Sequence, residues 1–161
     1  MNCKMPELKK ALELAGFKDV KTVISSGNAI FSAPKTSDKA LEQKIEKTLQ
    51  KHLGRSFYTI VRSIDELNHL VETNPVAKFK LKPTMKVVVT FMRDKPTLKA
   101  QLPIETKGAS ILTVEGRDAF TAYIRSEEGP AFMVFIEKNL GKEVTTRTWD
   151  TVNRIIKAAS R

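Results

Sequence analysis

The sequence predicts an α+β fold of two ferredoxin-like (β-α-β-β-α-β) halves, the first lacking its opening strand, with a C-terminal helix added. Three observations carry this reading. Helix-period and strand-period stretches alternate along the 161 residues. Their order is α-β-β-α-β over residues 5–62 and β-α-β-β-α-β over residues 86–147, and the second is the split β-α-β order. The hairpin glycine and the glycine closing the next helix recur at similar spacing, Gly27 with Gly54 and Gly116 with Gly141. The expected division is a first half over 1–62, a connecting helix and loop over 63–85, and a second half with the final helix over 86–161.

Each element has a local cause. Met5, Leu8, Leu12 and Ala15 mark one face of a first helix, and Gly16 follows where a left-handed cap is wanted. Val20–Ser25 and Ala29–Ser32 flank Ser26-Gly27-Asn28, a hairpin loop. Leu41, Ile45, Leu49 and Leu53 form a second helical stripe, with Ser37 as N-cap and Gly54 at its end. Phe57–Arg62 reads as a strand. Ser63-Ile64-Asp65-Glu66 is a capping box that opens a short third helix, stopped before Asn74-Pro75. Lys86–Met92 contains Val87-Val88-Val89, and an apolar run without alternation predicts a strand covered on both faces. Pro96–Leu102 reads as one or two turns of helix. Ser110–Glu115 and Ala119–Tyr123 flank Gly116-Arg117-Asp118, a second hairpin. Phe132, Phe135, Ile136 and Leu140 mark a helix closed by Gly141. Glu143–Thr146 reads as an edge strand, and Val152, Ile155, Ile156 and Ala159 mark the last helix.

Composition excludes several classes. The chain is 41% hydrophobic and 29% charged, which suits a globular core and not disorder or coiled coil. Its longest apolar run, Ala131–Ile136, is far short of the roughly 20 residues of a membrane helix. No signal-peptide pattern opens it, and Cys3 is the single cysteine. A cytoplasmic protein with no membrane partner is therefore expected. The net charge of +10 favours polyanionic partners. The excess is spread along the chain, densest at Lys78, Lys80, Lys82 and Lys86. That cluster reads either as a solvated loop or as a phosphate-binding patch.

No catalytic or metal constellation is seen in the sequence; a Ser-His-Asp triad stays open but has no nucleophile-elbow pattern to support it. His52 and His69 have no second ligand at metal spacing. Cys3 has no base nearby in sequence, and neither a dinucleotide fingerprint nor a P-loop occurs. No cofactor is expected. Strand alternation sets Thr121, Tyr123 and Arg125 on one face, with Phe120, Ala122 and Ile124 on the other. Tyr123 and Arg125 thus become candidates for base stacking and phosphate contact. Arg147 and Trp149 form a second candidate pair, with Trp149 as an anchor for the last helix as the structural alternative.

The stretch from Met5-Pro6-Glu7-Leu8 through Gly16-Phe17-Lys18-Asp19-Val20, with Thr22, Ser26-Gly27-Asn28 and Phe31, resembles the bacterial family catalogued as domain of unknown function 1697. Val144-Thr145-Thr146-Arg147-Thr148-Trp149-Asp150-Thr151-Val152 resembles its closing motif. The resemblance marks Ser26, Gly27, Asn28, Thr146, Arg147 and Trp149 as family-motif residues. It implies a duplicated ferredoxin-like fold and no settled activity. Members usually open with a strand and a glycine-rich turn of the type Leu-Leu-Arg-Gly-Ile-Asn-Val-Gly-Gly. This chain opens with Met1-Asn2-Cys3-Lys4, which reads as a late-assigned start, a shortened chain or a degenerate member. Thr148 and Asp150 stand where members more often carry asparagine.

The sequence favours a non-enzymatic binding module with weak affinity for nucleic acid or another polyanion, through Lys80, Lys82, Lys86, Tyr123, Arg125 and Arg147. Two alternatives stand beside it: a small-molecule or enzymatic site in a groove between the halves, and protein interaction or homodimerisation through an open strand edge. In a ferredoxin-like half the opening strand is central. The first half is thus expected to close by direct pairing of its remaining strands, to borrow a strand, or to be loosely ordered.

Overall fold

Apolar residues three and four apart become helices wherever the caps allow it. A computed structural model of the chain describes residues 4–24, 27–124 and 130–160. Among these residues lie five helices: α1 (Met5–Leu14), α2 (Asp38–Leu53), α3 (Ile64–Thr73), α4 (Pro130–Leu140) and α5 (Trp149–Ala159). They also contain β1 (Lys18–Val23), β2 (Asn28–Ser32), β3 (Met85–Met92), β4 (Ile104–Thr106), β5 (Ala109–Glu115), β6 (Asp118–Ile124) and β7 (Val144–Thr148). The strands form a two-stranded sheet, β1-β2, and a five-stranded sheet of order β4-β5-β6-β3-β7. The chain divides into two compact units, Met1–Leu67 with Asn153–Arg161, and Asn68–Val152.

The first unit packs α1, α2 and the β1-β2 hairpin around Leu8, Leu12, Phe17, Val20, Ile45 and Leu49. The expected caps form. The Ser37 hydroxyl accepts from the Ala40 amide at 3.1 Å, and Gly54 ends α2 at φ +68°, in the left-handed region that favours glycine. In the hairpin, the Asn28 side-chain amide donates to the Val23 carbonyl at 3.1 Å. At the start of α3 the Glu66 amide donates to Ser63 Oγ and the Ser63 amide donates to Glu66 Oε1, the reciprocal pair of a capping box.

One expected strand is corrected. Residues 57–62 join no sheet, and β2 does not pair with them. Their local pattern suits an extended chain, but a strand also needs a neighbouring backbone. The Thr59 and Val61 amides bond instead to side chains of α2.

The second unit is built on an antiparallel sheet. β3 lies between β6 and β7, with Val88 opposite both Thr121 and Thr148, and its residues Val88–Met92 are buried on both faces of the sheet, which explains its unbroken apolar run. On one face α4 lays Phe132, Ile136 and Leu140 against Val88, Met92, Ile111, Ala119 and Tyr123. The residues of the opposite face, Val89, Phe120 and Ala122, are fully buried. The Trp149 ring meets Phe120 edge-on, with centroids 5.8 Å apart. The strand order of the second sheet is β4-β5-β6-β3-β7, and residues 93–103, expected to carry a turn or two of helix, carry none. Pro96 and Pro103 disfavour one there. Leu98 and Leu102 pack against the core from this irregular chain. The short strand β4 was not expected.

Candidate functional site

One surface groove of the first unit begins with two glutamates. On α2, Glu42 lies three residues before Ile45 and seven before Leu49, so the helical period turns it to the core face. It is 3% exposed. Glu42 Oε2 accepts the Val61 amide at 2.9 Å, and Glu46 Oε2 accepts the Thr59 amide at 2.8 Å. At the end of the helix, Ser56 Oγ donates to Gln50 Oε1 at 2.8 Å. As chain position rises from 56 to 61, the partner on α2 falls from 50 to 42. The segment therefore runs back antiparallel along the helix. The rises of the two elements match: four helical residues advance about 6 Å and two extended residues about 6.6 Å. Carboxylates one helical turn apart thus meet every second amide.

This arrangement fixes Phe57 and Tyr58 beside the exposed ridge of α2. Lys47, Gln50 and Lys51 on the helix, with Ser56, Phe57 and Tyr58 opposite, line an open groove of about 670 Å³. Lys47 and Lys51 are exposed, and Tyr58 is 43% exposed. The Arg55 guanidinium lies 5.5 Å from the Phe57 ring centroid, a cation–π distance. Glu46 also lines the groove, with one carboxylate oxygen bonded to the Thr59 amide. The groove lining thus carries two ammonium groups and a partly exposed tyrosine, with the Arg55 guanidinium against the Phe57 ring.

The sequence-predicted residues fall elsewhere. Lys80, Lys82 and Lys86 are exposed in the second unit, in the chain leading to β3 and on its second residue. Tyr123 requires a correction. It is 4% exposed and its ring lies 4.9 Å from that of Phe132, beneath α4. Alternation separated the two faces of β6 correctly, but the face assigned to solvent is the one α4 covers. A base cannot stack on Tyr123 while that packing holds. Arg125 and Ser26 lie outside the described residues.

The remaining family-motif residues make structural contacts. Gly27 sits in the hairpin at φ +86°, and Asn28 closes that hairpin. Thr146 shares a hydroxyl–hydroxyl hydrogen bond of 3.0 Å with the fully buried Thr90. Arg147 Nη1 donates to the Thr146 carbonyl at 3.0 Å and to Thr145 Oγ1 at 3.1 Å. Burial pushes the Arg147 guanidinium below its usual pKa. Trp149, expected to be mostly buried, is half-buried against Phe120. Thr148 Oγ1 caps α5 by accepting the Thr151 amide at 3.1 Å. Among the described residues, no group of three or more His, Cys, Asp or Glu side chains is placed to hold a metal ion.

The groove was missed because its aromatic residues lie in a segment read as a sheet strand. One signal was present: Glu42 interrupts the core face of an otherwise regular helix. A carboxylate in that position requires a buried donor.

Comparison with known proteins places the fold. The chain is similar to the conserved bacterial protein SP0830 from Streptococcus pneumoniae, with a TM-score of 0.68 at 18% identity over 99% of this chain and 91% of that one. No curated protein matches the sequence. No helix among the described residues is long and apolar enough to cross a membrane. The family described as Protein of unknown function (DUF1697) matches residues 1–120, and the chain belongs to it.

Proposed function

We propose that the protein is a non-enzymatic binding module with weak, sequence-independent affinity for nucleic acid or another polyanion. The observation that carries this is the exposed lysine series Lys78, Lys80, Lys82 and Lys86, in a chain of net charge +10. We read the second unit as a ferredoxin-like half on its strand order, with one helix position taken by irregular chain. RNA-recognition modules of that class read bases on an open sheet face. Here both faces of the central strands are buried, so binding falls to loops and helix surfaces.

Retention on a duplex-DNA column tests this. We expect retention at about 50 mM salt and elution at moderate salt, with a log–log slope near −0.9 per neutralised phosphate. Replacing Lys80, Lys82 and Lys86 together by alanine should make that slope shallower. A wild-type chain that flows through at about 50 mM salt would overturn the proposal.

A further inference from the structure

We propose that the groove between α2 and residues 55–58 is a binding site for single-stranded nucleic acid. Tyr58 would serve as the stacking platform, and Lys47, Lys51 and Arg55 as the phosphate contacts. This rests on the polyanion-binding reading and adds to it a site and a strand preference.

Four features of the groove point to that ligand. The first is charge. Lys47 and Lys51 are exposed one helical turn apart, about 6 Å along the axis, and so form a short cationic track. Arg55 adds a guanidinium beside Phe57. Glu46, the acid in the lining, has an oxygen bonded to the Thr59 amide.

The second feature is the aromatic face. Tyr58 is 43% exposed beside those cations. Aromatic rings interleaved with cations are the general means of holding unpaired bases, because every base has a π-face.

Rigidity is the third. The Thr59 backbone amide, next to Tyr58, is bonded to Glu46 of α2, and on the other side the Ser56 side chain bonds the Gln50 side chain. A platform already in place loses little conformational freedom when a base stacks on it.

The fourth feature concerns base reading. Gln50, the amide in the lining, has its carbonyl oxygen engaged by Ser56, which leaves its NH2 as a donor but removes it as an acceptor for a base edge. A duplex hides its base faces and could use only the lysines. The single strand uses both the cations and the ring.

Fluorescence anisotropy of a labelled oligo-deoxythymidine, against a duplex of equal length in the same buffer, tests the site. The wild-type chain should bind the single strand more tightly. Tyr58→Ala should weaken single-strand binding roughly tenfold or more and leave duplex binding unchanged, whereas Tyr58→Phe should retain single-strand affinity. Lys47→Ala with Lys51→Ala should reduce the single-strand salt slope by about 1.4, since each phosphate contact contributes about 0.7. Both lysines are exposed, so this pair reports on the site even if Tyr58→Ala disturbs the fold. If duplex and single strand bind equally and the Tyr58 and lysine variants match wild type, the groove is not the site, while polyanion binding stands. If neither nucleic acid binds at about 50 mM salt, both readings fall.

Discussion

In both units the chain leaves its second helix at a left-handed glycine and then runs on, at Gly54 in the first and Gly141 in the second. The two outcomes differ. In the second unit, residues from Val144 form β7 and pair with β3 from Met92 to Val88. In the first, residues 57–62 meet no strand, and two of their amides bond to Glu42 and Glu46. Buried backbone donors must find acceptors in either case. What differs is which side chains are left outside. Beside the ladder, Trp149 turns in against Phe120. On the segment held by the helix, Tyr58 stays exposed and Phe57 half-buried. Side-chain acceptors hold an extended chain in place and leave its aromatic residues accessible.

The largest expected effect tests the packed half of this contrast. Phe120 is fully buried, and truncation of a core phenylalanine costs about 3–5 kcal/mol. Phe120→Ala should lower the urea midpoint followed by emission of Trp149, the single tryptophan, which meets that ring edge-on. An unmoved emission midpoint would break the claim that this pair anchors the second unit.

Next comes the carboxylate brace. Glu42→Ala leaves the Val61 amide without its acceptor, and an orphaned buried donor costs about 1–3 kcal/mol. Glu42→Gln keeps an acceptor and should cost less. Hydrogen exchange at the Val61 amide discriminates: it should quicken markedly in the alanine variant and only slightly in the glutamine one. Equal exchange in both variants and wild type would show that the brace does not hold the segment.

The smallest effect is a gain. Thr121 is fully buried, and its hydroxyl has no hydrogen-bond partner among the described residues. Thr121→Val removes that desolvation cost at nearly constant shape and should raise stability by up to about 1 kcal/mol. A loss on thermal melting would mean that the hydroxyl is satisfied in solution.

Local chemistry wrote most of the helices legibly. Ser37, Ser63 with Glu66, and Gly54 mark ends that hydrogen bonds and φ angles bear out. The strand Lys86–Met92 was also legible, because its short apolar run is rich in β-branched Val87-Val88-Val89, which favours a strand buried on both faces. What failed was non-local. Phe57–Arg62 has the composition of a strand, yet pairing depends on a second segment that its own residues do not specify. Tyr123 shows the same limit. A period of two separates the faces of β6, but only the docking of Phe132 and Ile136 decides which face is covered. The groove depends on both kinds of information, and in the sequence it left only Glu42 as a trace.

The match between helix and extended chain along α2 is a vernier, and it sets its own length. Four residues of helix overshoot a full turn by about 40°, so each successive acceptor is carried further round the axis. The rises differ as well, by about half an ångström per rung. Glu46 and Glu42 are the two rungs that fit. The next amide in that series, that of Ser63, donates instead to Glu66 Oε1. A segment held in this way must leave its helix after a few residues, and this one gives way at Ser63 to the capping box of α3. The bracing of Tyr58 is therefore confined by geometry to a few residues on either side, and lengthening α2 would not extend it.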